Sequence, residues 1–225
     1  MNPRDKDREA SVRAVHIPTD GISLPGDLAI PAGATGVVLF AHGSGSSRHS
    51  PRNKLVARTI QASGIATLLF DLLSPAEERE DTISGQLRFN IGLLAKRLVH
   101  AARWIIERPE TRQLGLGCFG ASTGGAAALV AAAELGPLVQ AVVSRGGRPD
   151  LAGDALSRVD SPTLLIVGEM DEFVLQLNRD AYAHLRCQKR IEVVARATHL
   201  FEEPGALEEV ASLATEWFKR NLKMR

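Results

Sequence analysis

At 225 residues, with 44% hydrophobic and 24% charged side chains, the chain has the size and composition of one soluble globular domain with a full core. Its 27 basic and 26 acidic residues leave a formal net charge of +1, so no global field draws it to nucleic acid or to an anionic membrane surface. Two cysteines, Cys118 and Cys187, are too few for a disulfide framework, and no Cys/His cluster has zinc-ligand spacing, so reduced thiols and no metal are expected.

Residues 1–10, MNPRDKDREA, form a polar tail without the apolar segment of a secretory signal, and cytoplasmic residence is the expectation. Residues 12–17 and 27–30 read as strands separated by a Gly/Pro-containing turn over 21–26. The run 36–41, GVVLFA, is continuously apolar, as in a strand buried on both faces. A Gly/Ser-rich loop, His42-Gly43-Ser44-Gly45-Ser46-Ser47, follows it, without the lysine and spacing of a phosphate-binding P-loop. A helix is predicted over 51–63, started by Pro51 and stopped by Gly64, then a strand over 65–70. Residues 74–84 read as an acidic, irregular excursion whose EERED run is a solvated surface, and a long amphipathic helix runs from about 86 to 107.

The next strand, LGLGCFGA, leads into Ser122 and then into a small-residue helix. The most apolar stretch, 126–143, is broken by Glu134, Gly136 and Pro137, so it reads as a helix and a strand rather than a membrane span. A Gly/Pro/Arg-rich loop, a strand over 163–167, a helix near 174–185, a strand over 190–194 and a final helix over about 204–222 complete the chain. Short apolar strands alternating with helices specify a mostly parallel sheet with helices on both faces, a three-layer α/β/α architecture. With no repeat, low-complexity tract or long linker, one domain is expected over 1–225. Ligands of such sheets bind beyond the carboxyl ends of the strands.

Chemistry is therefore sought at strand ends. Ser122 sits in Gly120-Ala121-Ser122-Thr123-Gly124, between a strand and a helix, where a tight turn pushes its hydroxyl out of the sheet and the glycines let strand and helix approach. A serine hydroxyl needs a base, and the base an orienting acid. Of six histidines only His199 ends a strand downstream of the serine. The acid is expected at the end of the 163–168 strand, where Asp171 is the choice and Glu169 the reserve. Asp150, Asp154 and Asp160 lie in another loop, where capping and turn formation explain them. Oxyanion donors are expected from the backbone N–H of Thr123, which starts a helix, and of Ser44 in the glycine loop, with His42 bracing that loop.

The segments VVLFAHGSGSS, GCFGASTGG, LLIVGEMDEFV and ATHLFEEPG, in that order, resemble the α/β-hydrolase superfamily, and within it the dienelactone hydrolase-like group. Ser122, Asp171 and His199 also follow the chain order of that superfamily's triad. The resemblance implies an eight-stranded, mostly parallel sheet with an antiparallel second strand, and no metal or organic cofactor. Dienelactone hydrolases proper carry cysteine as nucleophile; here the position is Ser122, and Cys118 lies upstream in the strand. That departure favours a serine carboxylesterase-like activity over lactone hydrolysis itself. Acyl transfer by the same triad, or a non-catalytic scaffold that kept the fold, are the alternatives.

Between residues 145 and 160 there is no room for a large lid, which suits small soluble esters or lactones, although the excursion over 74–88 has the length to cover part of a pocket. Arg48, Arg52, Arg145 and Arg148 cluster in loops expected to face the site, and a guanidinium there would bind an anionic substrate bidentately. Pairing with protein carboxylates such as Asp150 is the plainer role, with Arg145, directly after a strand, and Arg52 the candidates for substrate binding.

Overall fold

The computed structural model describes residues 11–225; the polar tail over 1–10 lies outside the described residues. Eight strands alternate with helices: β1 (Val12–Thr19), β2 (Ile22–Ala29), β3 (Gly36–Ala41), α1 (Pro51–Ala62), β4 (Ala66–Phe70), α2 (Pro75–Ser84), α3 (Ile91–Glu107), β5 (Gly115–Ala121), α4 (Thr123–Leu135), β6 (Val139–Arg145), β7 (Thr163–Gly168), α5 (Glu172–His184), β8 (Lys189–Val194) and α6 (Ala206–Asn221). The strands form one sheet in the order β1-β2-β4-β3-β5-β6-β7-β8. Only β2 runs against its neighbours, pairing antiparallel with β1 and β4, as the resemblance implies.

The fully buried strands explain the continuous apolar runs. In β3, Val37, Leu39 and Ala41 face one core, whereas Val38 and Phe40 face the other, the alternation that a pleated strand imposes. Helices α3, α4 and α5 cover the first face. On α3, Leu94, Leu98, Ala102 and Ile105 recur every three to four residues and are buried, and each leucine contributes roughly 1.5–3 kcal/mol of burial. Helices α1 and α6 cover the second face, through Val56, Ile60, Val210 and Phe218 among others.

Connectivity decides where a crevice opens. From β3 the chain moves to β4 on one side and returns to β5 on the other, so β3 and β5 are neighbours whose loops diverge. That is the switch point at which open sheets bind ligands. Phe40 and Phe119, register partners on these strands, hold the pair together with ring centroids 4.8 Å apart.

Three elements depart from the sequence reading. The expected turn over 21–26 is strand: only Asp20 and Gly21 form the turn, and Pro25 lies within β2, its missing donor tolerated opposite His16. The acidic excursion is the helix α2, begun by a capping box in which Ser74 Oγ accepts from Glu77 N–H and Glu77 accepts from Ser74 N–H at 2.7 Å. Its acidity is only partly solvated, because Asp81 is buried and Glu77 binds the buried Arg97 at 2.8 Å. The long helix starts at Ile91, capped by Asn90, after a 3-10 turn at Leu87–Phe89. Residues Pro149–Arg158 form 3-10 turns that bury Ala152, Ala155 and Leu156 against the core, so no lid arises there.

Candidate active site

Ser122 links β5 to α4 with φ 52° and ψ −121°, a conformation an L-residue adopts at a cost of roughly 1–3 kcal/mol. The turn is over-determined. Ser122 N–H donates to Arg145 C=O at 3.2 Å, and its own carbonyl accepts from Gly125 N–H at 3.0 Å and Arg148 N–H at 3.1 Å. A Cβ on Gly120 would stand 2.3 Å from Gly124 O, and one on Gly124 would stand 2.2 Å from Ala41 O. Only glycine allows β5, the turn and the end of β3 to meet this closely.

The turns after β7 and β8 are zipped by Glu169 N–H to Val194 O and Met170 N–H to Ala197 O, both at 2.9 Å. This brings Asp171, at the start of α5, to His199: the Nδ1–H donates to Asp171 Oδ2 at 2.6 Å. An ionised carboxylate only accepts, so Nδ1 carries the proton and Nε2 is left as acceptor. Asp171 is largely sheltered, with 14% of its side chain exposed. Glu169 is occupied elsewhere, accepting Arg196 N–H at 2.7 Å, so the reserve acid braces the histidine turn. Ser122 and His199 line one cavity of about 230 Å³. No hydrogen bond joins their side chains among the described residues, a contact that in hydrolytic triads tightens when substrate binds.

At the end of β3, His42 braces the loop: its Nε2 accepts Leu72 N–H at 3.1 Å and its Nδ1 bonds Gly43 O at 3.0 Å. Burial pushes its imidazole below the ordinary range, so it is neutral. Gly43 abuts Ser122, since a Cβ there would lie 3.1 Å from Ser122 Cβ. Ser44 N–H does not stand free; it donates to Thr123 Oγ1 at 3.0 Å. Thr123 N–H, first in α4, has no acceptor within its helix. Behind this loop Asp81 accepts from Leu87 N–H at 2.6 Å and Arg88 N–H at 3.2 Å, and pairs with the Arg88 guanidinium, which lies 3.9 Å from where a Gly45 side chain would begin. The sequence held no signal for this buttress, because a buried aspartate inside EERED looks like its solvated neighbours.

A family model described as an alpha/beta hydrolase domain matches residues 34–216. The chain belongs to the α/β-hydrolase family. Within it, the protein is similar to a dienelactone hydrolase from Anabaena variabilis ATCC 29413, at 57% identity and a TM-score of 0.94 over 96% of this chain and 100% of the other. Its fold also matches Est1E from Butyrivibrio proteoclasticus, at 16% identity and a TM-score of 0.76 over 92% and 98% of the two chains. A curated relative from Mycobacterium tuberculosis (strain ATCC 25618 / H37Rv), provisionally named a phosphoribosyl transferase, is 52% identical over 217 residues. The match covers 96% of this hydrolase-family chain and 47% of that protein, so the chain spans about half the length of the curated relatives it matches.

Around the cavity of this α/β-hydrolase the arginines divide into two sets. Arg48 pairs with Asp71 and, at 3.8 Å, with Asp27, and Arg148 holds Asp150 bidentately at 2.9 and 2.7 Å. Both serve the structure, as the plainer reading expects. Arg145 has no carboxylate partner among the described residues and lies 5.9 Å over the Phe201 ring. Burial, then repulsion from Arg52, lowers its guanidinium to about 10, so it stays charged at neutral pH. Cys118 is buried in β5, where desolvation pushes its thiol up to about 12, too high for a nucleophile. Among the described residues no helix is long and apolar enough to cross a membrane, and no group of three His, Cys, Asp or Glu is placed to hold a metal.

Proposed function

We propose that the protein is a cytoplasmic serine hydrolase of small carboxylic esters or lactones, acting through an acyl-enzyme on Ser122. The observation that carries this reading is the 2.6 Å bond from His199 to Asp171 beside a strained, half-buried Ser122 that lines one cavity with His199. His199 Nε2 takes the Ser122 Oγ proton as Oγ attacks the ester carbonyl carbon, and Asp171 stabilises the imidazolium. The oxyanion is received by Thr123 N–H and Ser44 N–H, the second turning from Thr123 Oγ1 toward the developing charge. His199 then protonates the leaving alkoxide, the C–O bond breaks, and water, deprotonated by His199, releases the acid. The kinship with a dienelactone hydrolase supports this chemistry class. The transferase name describes proteins about twice as long and is not carried over.

Hydrolysis of p-nitrophenyl acetate and butyrate, measured beside Ser122→Ala and with fluorophosphonate labelling, tests the proposal. Turnover and labelling that vanish in Ser122→Ala and His199→Ala are expected. A folded protein that neither turns over these esters nor reacts with the probe faster than His199→Ala would overturn it in favour of an inert scaffold.

A further inference from the structure

Arg145 ends β6, and its carbonyl holds the Ser122 amide while its side chain turns into the cavity beside that serine. The residue is only 7% exposed, yet its Nε and Nη1 are buried with no hydrogen-bond partner among the described residues. Arg52 reaches the same cavity from the first turn of α1, with Nε likewise buried and unpartnered. Among the described residues its one carboxylate contact is Glu202 at 3.4 Å, on a side chain 66% exposed. No carboxylate lines the cavity among the described residues; Ser46, Ser50 and Asn53 add hydroxyl and amide groups instead.

Arg145, buried against a small cavity that no carboxylate lines among the described residues, is a standing electrostatic debt, because a buried cation without a counter-charge destabilises a fold, and the part-exposed Arg52 adds a second positive charge beside it. Burial first, and then the nearby Arg52 charge, hold the Arg145 guanidinium below its ordinary value. A monoanion would balance Arg145 alone; the Arg52 contact to Glu202, 3.4 Å long and on an exposed carboxylate, is weak enough to leave room for a second negative charge. A phosphate dianion balances both, and its three terminal oxygens match the planar donor forks of two arginines.

The geometry points to a phosphate subsite: Arg145 and Arg52 clamp the phosphate monoester of a phosphorylated substrate while its carboxylic ester lies at Ser122. The phosphate is a handle and is not cleaved; the bond that breaks is the acyl C–O bond. This substrate class rests on the serine-hydrolase reading above, but the subsite can be measured without it. The handle's binding energy would position the ester carbonyl, as remote groups do in other enzymes.

Calorimetric titration of the full chain with inorganic phosphate, and separately with acetate, at pH 7.5 and constant ionic strength, reads the subsite directly. Saturable phosphate binding is expected, at least tenfold tighter than acetate and at least tenfold weaker in both Arg145→Gln and Arg52→Gln. Arg52 lies half-exposed at a helix start, so its variant remains informative if Arg145→Gln misfolds. In parallel, the ratio of kcat/KM for a phosphorylated ester to that of its dephosphorylated analogue is expected to fall at least tenfold in the arginine variants. Phosphate binding that is absent, unchanged in both variants, or no tighter than acetate overturns the subsite. Arginine-dependent phosphate binding in a protein that cleaves no ester upholds the subsite and sinks the hydrolase reading alone.

Discussion

The Ser44 amide donates to the Thr123 side-chain oxygen at 3.0 Å, so the two residues expected to supply oxyanion donors are tied to each other before any substrate arrives. The Thr123 hydroxyl thereby sets the position of the glycine loop relative to the elbow. Thr123→Val removes the acceptor and is expected to lower kcat about fivefold, the worth of roughly 1 kcal/mol, with KM little changed. Thr123→Ser should restore most of the loss. A valine variant with wild-type kcat on p-nitrophenyl esters would show that the loop is held by other contacts.

Asp171 and Glu169 sit two residues apart on one turn, but only Asp171 touches His199. Asp171→Asn is expected to cut kcat by about 10⁴, because an asparagine amide favours the wrong imidazole tautomer. Glu169→Gln keeps an oxygen for Arg196 N–H and should cost less than about tenfold. Steady-state kinetics of the two variants separate the orienting acid from the brace.

At the elbow, Gly124→Ala places a methyl 2.2 Å from the Ala41 carbonyl oxygen, where rigid backbone rather than a movable side chain must yield. A loss of at least about 3 kcal/mol is expected by urea unfolding, with activity falling alongside stability. A loss below about 1 kcal/mol would mean that β3 and α4 can separate.

The Asp81 clamp has a pH signature. Burial raises its carboxyl, but the Arg88 guanidinium and the backbone amides of Arg88 and Leu87 outweigh it and hold the group below its ordinary 3.8. On acidification the unfolded chain therefore binds this proton first. The clamp's contribution is fully present above about 3.8 and is lost as pH falls through the lower folded value. Asp81→Asn is expected to lower the melting temperature at pH 7 and to shrink the gap from wild type below pH 4. A gap of constant size between pH 7 and pH 3 would contradict the assignment.

Arg145 carries charge into a buried place where no carboxylate pairs with it among the described residues. Arg145→Met is expected to raise stability by about 1–3 kcal/mol, at roughly 2–4 °C in Tm per kcal/mol, as replacement of a buried charge by an apolar chain often does. A structural arginine would show the reverse, a fall in Tm on calorimetric melting.

The architecture was legible because apolar runs such as GVVLFA and TLLIVG are long, uninterrupted and separated by helical patterns, and because strand ends in such sheets are where ligands bind. Residues at strand ends, Ser122, Asp171 and His199, were legible for the same reason, and the structure brings the last two into contact. The acidic segment was not, since a capping box and one buried aspartate decide that Pro75–Ser84 is helical and half-sheltered, and hydropathy sees only its charge. The arginines were legible in part: Arg145 stood out by its place after a strand and the nearby Asp150 offered Arg148 a partner, but that Arg48 meets Asp71 depends on residues brought together from distant parts of the chain.

The sequence by itself determined the alternation of strands and helices and the placing of Ser122, Asp171 and His199 at strand ends in that chain order, because these follow from local periodicity and from residue chemistry. Only the tertiary structure decided that Asp171 and not Glu169 meets the imidazole, that Ser44 is bound to Thr123, and that two cations face a cavity that no carboxylate lines among the described residues. Those outcomes depend on distances of a few ångströms between segments far apart in the chain, which no local pattern encodes.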